Sequence, residues 1–236
     1  WTSVARDNLM VKFPGTPEGV PAIRALIAQG ISINVTLLFS QKMYAEVLEA
    51  YIAGLEDFVA RGGDPKRIAS VASFFVSRID TAVDKRLAAK IATGDVAARG
   101  LLSQAAIANS RLAYRSYQRF FESDRFHKLG ARVQRPLWAS TSTKNPSLPD
   151  VLYVEELIGP STVNTLPPAT IDAFRDHGKP RVSITEKVAE ADAVMAGLAK
   201  LGIDFPAVTA QLERDGVAAF QKSFATLMGV IEKRRA

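Results

Sequence analysis

The sequence predicts a parallel α/β fold, and three observations carry that prediction. Short apolar runs alternate with helical stretches along the chain. The runs are apolar at successive positions, as in strands covered on both faces. The connections are short, as where each strand is followed by a helix that packs back onto the sheet. No internal repeat, low-complexity tract or linker interrupts the pattern, so residues 1–236 read as a single domain.

The elements follow in order. Residues 9–13 read as a first strand. A helix over 17–30 follows, with Pro17 early, Glu18 in the first turn and Gly30 as its stop. Residues 31–39 (ISINVTLLF) form a second strand, and 41–61 a long amphipathic helix ending at Gly62-Gly63. Residues 68–76 (IASVASFFV) form a third strand. Helices are expected over 80–92 and 96–129, broken near Gly94, and a fourth short strand over 136–140. Residues 151–158 read as a short helix before a fifth strand at 162–166. Helices over 170–177, 186–201, 205–214 and 217–235 complete the chain.

Composition narrows the function classes. The 236 residues are 47% hydrophobic and 23% charged, ordinary for a folded globular chain. There is no cysteine, so disulfides and thiolate metal sites are excluded. His127 and His177 are the only histidines, fifty residues apart, and no metal is expected. No apolar stretch approaches the roughly 20 residues that cross a bilayer; no membrane partner is expected, and the cytoplasm is the expected location. The net charge of +6 comes from dispersed basic residues. A nucleic-acid binder usually concentrates them in a stripe with aromatics. Nucleic acid is therefore not an expected partner, and a distributed field that attracts phosphate esters fits better. The first residue is Trp1, which implies processing or a start inside a longer protein.

Lys12 carries the chemistry. It stands within Asn8-Leu9-Met10-Val11-Lys12-Phe13-Pro14, the context of an inward-facing lysine on a buried strand. Burying an ammonium is costly, so such a lysine pairs with an anion or gives up its proton. The neutral amine is a nucleophile for carbonyl carbon, which points to a Schiff base with a ketone or aldehyde. The plain alternative is a lysine at a strand end whose head reaches water. Alternation puts Asn34 and Thr36 on one face of the second strand, and Ser73, Phe75 and Ser77 on one face of the third. Arg78 follows that strand, and Ser142 and Lys144 follow the fourth. Polar residues thus gather at the carboxyl ends of successive strands, where α/β barrels carry their active sites. Two cations and a hydroxyl suit a phosphate, and the implied substrate is a phosphorylated keto sugar. Asn34, Thr36 and Ser73 have a plainer reading as core hydrogen-bonding groups, and Arg78 as a helix-end partner of Asp80 or Asp84. Glu155 and Glu156 diverge on a helix and do not form an acid–base pair.

These residues resemble the transaldolase family. The likeness rests on NLMVKFPGTPEGVPAIRALIAQGISINVTLLFS, on Ser73 five residues before Arg78, and on Ser142 to Asn145. The stretch from Tyr153 through Val163 and Asn164 to Pro167 further resembles the bacterial branch that includes fusions to glucose-6-phosphate isomerase. The resemblance runs from about Asn8 to the C-terminus. It implies that Lys12 carries the covalent dihydroxyacetone adduct and that Asn34 and Ser73 bind its hydroxyls. Thr36 would help hold a catalytic water, and Arg78, Ser142 and Lys144 would grip the phosphate. Other members commonly have arginine where Lys144 stands; lysine keeps the charge and loses the two-pronged fork. The imine makes any cofactor unnecessary. The family fold is a (β/α)8 TIM-type barrel with its lysine on strand four. The five strands read here match strands four to eight, leaving strands one to three and the family's acid–base carboxylates unaccounted for. Two sheet edges are then expected to be open, available to the missing N-terminal part or to a homo-oligomer. The expected activity is a transaldolase acting on sugar phosphates. The alternatives are a fructose-6-phosphate aldolase-like lyase, which releases the three-carbon unit to water, and an inactive half-barrel that needs a complementary chain.

Overall fold

Five parallel strands form one sheet in the order β1-β2-β3-β4-β5, each beside its neighbour in sequence. They are β1 (Val11–Pro14), β2 (Ile33–Leu38), β3 (Ser70–Phe75), β4 (Gln134–Ala139) and β5 (Val163–Asn164). The computed structural model describes residues 3, 4, 6 and 8–235, and Trp1 lies outside them. Among the described residues β1 and β5 each pair on one side only, so both sheet edges are open as expected. The helices are α1 (Gly19–Ile27), α2 (Gln41–Ala60), α3 (Ser77–Ala92), α4 (Ala105–Phe121), α5 (Asp124–His127), α6 (Leu152–Glu155), α7 (Pro168–His177), α8 (Val188–Lys200) and α9 (Phe205–Arg235). None alone is long and apolar enough to cross a membrane.

Alternation divides the sheet into two faces. Ile33 and Val35 of β2, Ala72 and Phe74 of β3 and Trp138 of β4 are fully buried, in one core with Tyr44, Val47, Leu48, Tyr51 and Leu55 of α2. Aromatic edges fill this layer. Phe74 lies perpendicular to Trp138 at 6.2 Å and edge-on to Tyr44 at 5.8 Å. The indole of Trp138 donates to the Leu157 carbonyl at 2.9 Å, so its one polar atom is satisfied inside the core. α1 and α2 approach closely because residue 54 is glycine. A Cβ there would stand 2.8 Å from both the Arg24 carbonyl oxygen and Ile27 Cβ.

Three elements differ from the sequence pattern. The helix expected over 96–129 is three pieces: a 3-10 turn at Val96–Leu101, then α4 and α5. Asp84 captures the first break, accepting from the Ser103 amide at 2.8 Å and its hydroxyl at 2.9 Å, with Ser103 at φ 57°. Ser123 caps α5 at the second. α3 begins at Ser77, three residues early. The two helices expected over 205–214 and 217–235 are one, α9. Gly216 does not stop it, because that glycine serves close packing. A Cβ at 216 would lie 2.8 Å from Leu37 Cδ2.

Candidate functional site

The second face of the sheet carries the polar set. Lys12 of β1 pairs in register with Asn34 of β2, so both side chains leave the same face. Asn34 pairs with Val71 of β3, two residues before Ser73. Ser73 is 4% exposed, and its hydroxyl donates to Asn34 Oδ1 at 2.8 Å. That bond fixes the amide, so Nδ2 is turned away from Ser73. Thr36 is also 4% exposed, and its Oγ1 has no hydrogen-bond partner among the described residues. Leaving a buried hydroxyl unpaired costs about 1–3 kcal/mol. Such a group is suited to meet a water or a substrate hydroxyl.

Lys12 itself departs from expectation. It is exposed, whereas its sequence context predicts a sheltered side chain. The physical reason is its strand: β1 is an edge, and no described element flanks its far side. Its face is nonetheless the expected one. A contact that no sequence pattern announced joins it there, for the ammonium stands 5.8 Å from the ring centroid of Phe220 on α9. The signal for that residue was the helical spacing of Val217, Phe220, Phe224, Leu227 and Ile231, which says that α9 has an apolar face but not what it meets.

The cations expected to bind phosphate lie at the carboxyl ends of β3 and β4. Arg78 is the second residue of α3, exposed, with its guanidinium 5.0 Å from the Phe75 ring centroid. The plain reading of Arg78 as a partner of Asp80 or Asp84 does not hold, because those carboxylates are engaged elsewhere. Lys144 donates to Ser142 Oγ at 2.8 Å, which brings the β4 pair together. The two loops are tied at their roots: the Ser77 amide donates to the Ser140 carbonyl at 3.0 Å, and the two hydroxyls lie 3.2 Å apart. Arg78 and Lys144 nevertheless line different grooves. Lys144 faces Ser77, Thr81 and Asp84 around about 210 Å³, while Arg78 faces α9 across about 300 Å³. Among the described residues, none of Lys12, Arg78 and Lys144 forms an ion pair.

Asp80 underlies this end of the sheet. It is 3% exposed and accepts from the Ala106 amide at 2.7 Å and from the Tyr153 hydroxyl at 2.7 Å. Burial pushes its carboxyl up to about 6, against those two hydrogen bonds, which pull it down. Burial likewise raises the Tyr153 phenol, with the Asp80 charge adding to it. Sequence reasoning missed this pair, which joins α3 to α6 across 73 positions. Glu155 and Glu156 are engaged with different partners. The first accepts from the Lys179 amide, and the second pairs with Arg111 and Arg181. Among the described residues no three His, Asp or Glu side chains cluster to hold a metal.

Comparison with known proteins identifies the family of the chain as a whole. Residues 1–231 match the family model described as Transaldolase/Fructose-6-phosphate aldolase. A transaldolase of Parafrankia sp. (strain EAN1pec) is 52% identical over 99% of this chain and 64% of its own length. One from Saccharopolyspora erythraea is 50% identical over 99% of this chain and 64% of its own. Transaldolase 1 of Streptomyces coelicolor is 50% identical over 98% of this chain and 61% of its own. The chain thus spans 64% or less of the length of these relatives. With a family model matched across nearly all of its residues, the chain belongs to the transaldolase/fructose-6-phosphate aldolase family.

Proposed function

We propose that this chain supplies the Schiff-base and phosphate-binding part of a transaldolase, acting on sugar phosphates in the cytoplasm. The observation that carries the reading is the register of Lys12 with Asn34, on the face where Ser73 bonds Asn34. In this reading Lys12 Nζ adds to the C2 ketone of a ketose phosphate, and water leaves to give an iminium. The C3–C4 bond then breaks. Its electron pair flows into the iminium to give an enamine, and the C4 hydroxyl gives up its proton as the aldehyde departs. The enamine attacks an aldose phosphate, and hydrolysis frees the new ketose. The imine is the electron sink, so no cofactor enters.

The other residues have parts in the same sequence. Asn34 and Ser73 hold the hydroxyls of the three-carbon unit, and Thr36 Oγ1 holds the water exchanged at C2. Arg78, Ser142 and Lys144 bind the phosphate; among the described residues neither cation forms an ion pair, which supports that reading. The five strands are taken as the C-terminal five of a (β/α)8 barrel. The remaining strands and the acid–base carboxylates would come from a segment or a second chain paired at the open edges. A second reading, release of the three-carbon unit to water as in a fructose-6-phosphate aldolase, is favoured by the exposure of Lys12.

Borohydride reduction with fructose 6-phosphate, followed by peptide mass spectrometry, tests the proposal. A three-carbon adduct on Lys12 is expected. An adduct on another lysine, or a six-carbon adduct alone, would sink it. Product analysis with and without an aldehyde acceptor separates transfer from release.

A further inference from the structure

We infer that Phe220 of α9 is a positioning residue for Lys12, holding the amine against its ring and covering the three-carbon adduct from water. This role rests on the function proposed above, and the contact beneath it does not. The ring centroid lies 5.8 Å from Lys12 Nζ, within the range where a ring face attracts a cation. α9 is anchored to deliver that ring. Val208, Thr209 and Gly216 are its buried residues, and Gly216 meets the Leu37 side chain at the end of β2. One turn further along, Phe220 is 51% exposed, so packing of its own does not explain its place. Upstream, Glu213 is raised by burial and by the charges of Glu18 and Glu46, which sets this part of α9 beside α1 and α2.

Asn34 and Ser73 occupy one side of Lys12, on the adjoining strands of the sheet. Phe220 reaches it from a separate element. An adduct built on Nζ therefore has hydroxyl-binding groups on the sheet and an aromatic face on α9. A ring face favours a cation, and the iminium is one. It offers no hydrogen bond to water. Premature release requires that the enamine take a proton at carbon, that water add to the iminium carbon, and that the C–N bond then break to free dihydroxyacetone and Lys12. A ring over the nitrogen hinders the approach of that water, and it leaves the enamine to the aldehyde acceptor.

Phe220→Leu removes the π face and Phe220→Tyr restores it; circular dichroism checks that both keep the helix content. The first readout needs no substrate. Reductive methylation of Lys12 with formaldehyde and cyanoborohydride is compared with Lys66 and Lys128 in the same digest. Phe220→Leu should speed Lys12 relative to the other two by roughly two- to five-fold, the factor for an exposed cation–π contact, and Phe220→Tyr should match the unaltered chain. Equal rates in all three proteins overturn the contact. The second readout uses fructose 6-phosphate without acceptor, taking dihydroxyacetone released per borohydride-trapped adduct. That ratio should rise several-fold in Phe220→Leu and return in Phe220→Tyr. A ratio that does not move overturns the shielding role. No adduct in any protein, with the methylation difference intact, overturns the Schiff-base reading and the shielding role together, and leaves Phe220 as a structural contact of Lys12.

Discussion

Asp80→Asn is the substitution whose consequence follows most directly from the geometry. The carboxyl is buried and sits about two units above its ordinary 3.8, at about 6. At about 1.36 kcal/mol per unit, keeping it ionised in the folded state costs roughly 3 kcal/mol. The sign follows from proton counts. Between pH 4 and 6 the folded chain holds a proton on Asp80 that the unfolded chain has released. Stability from this group therefore falls as pH rises through that window. Below about 4 both states are protonated and the penalty is absent; above about 6 both are ionised and it is complete. Asparagine keeps an acceptor for the Ala106 amide and offers a donor to the Tyr153 hydroxyl, while its neutral amide does not titrate. Urea unfolding of both proteins at half-unit steps from pH 4 to 7.5 reads the difference. Asp80→Asn should gain on the parent by about 2–3 kcal/mol across the window and hold that gain above it. The difference cancels the titration of every other carboxylate. Parallel stability curves would refute the argument.

Two further outcomes follow from single contacts. Gly54→Val places a branched side chain 2.8 Å from the backbone of Arg24 and from Ile27 Cβ, so α1 and α2 must separate; a loss of about 1–3 kcal/mol in chemical denaturation is expected. His177 lies between Asp150 at 2.9 Å and Asp176 at 3.1 Å, and both hydrogen bonds raise its imidazole above the ordinary value. The tie from α7 to the segment after β4 should therefore be complete below about pH 6.5 and be lost as pH rises through the raised value, read as faster amide exchange at Asp150 and Val151 in the parent and no such step in His177→Asn.

Much of the sheet was legible because its strands are short, mostly apolar runs, which differ from the longer amphipathic helices between them. Alternation alone then put Asn34, Thr36 and Ser73 on shared faces, and the observed register and the Ser73–Asn34 bond agree. What escaped depends on partners remote in sequence. Lys12 and Phe220 are 208 positions apart, and Asp80 and Tyr153 are 73 apart. The break at Ser103 depends on a carboxylate 19 residues upstream. Local pattern carries none of these. The burial expected of Lys12 failed for another reason. Flanking Leu, Met, Val and Phe report that a strand is apolar, not whether a neighbour covers its outer edge.

That distinction bears on how the proposed site works. Asn34, Thr36 and Ser73 are held by the sheet ladder, Asn34 half-buried and the other two buried, so their geometry is set before a substrate arrives and binding costs them little entropy. Arg78, Ser142 and Lys144 stand on a helix start and a loop, and both cations are exposed. Charge on flexible stems attracts a dianion at long range but orients it weakly. The division assigns capture to the phosphate end and orientation to the sheet. Lys12 stands between them, on the ordered face yet at an open edge, and its amine cannot be sheltered by the strands alone. Shelter must come from outside these five strands, and among the described residues the ring of Phe220 reaches its amine. The rate at which Lys12 is modified is therefore a measure of how far the site is assembled. Whatever pairs with the edge of β1 should slow that reaction further, and Phe220→Leu should still speed it in the paired state.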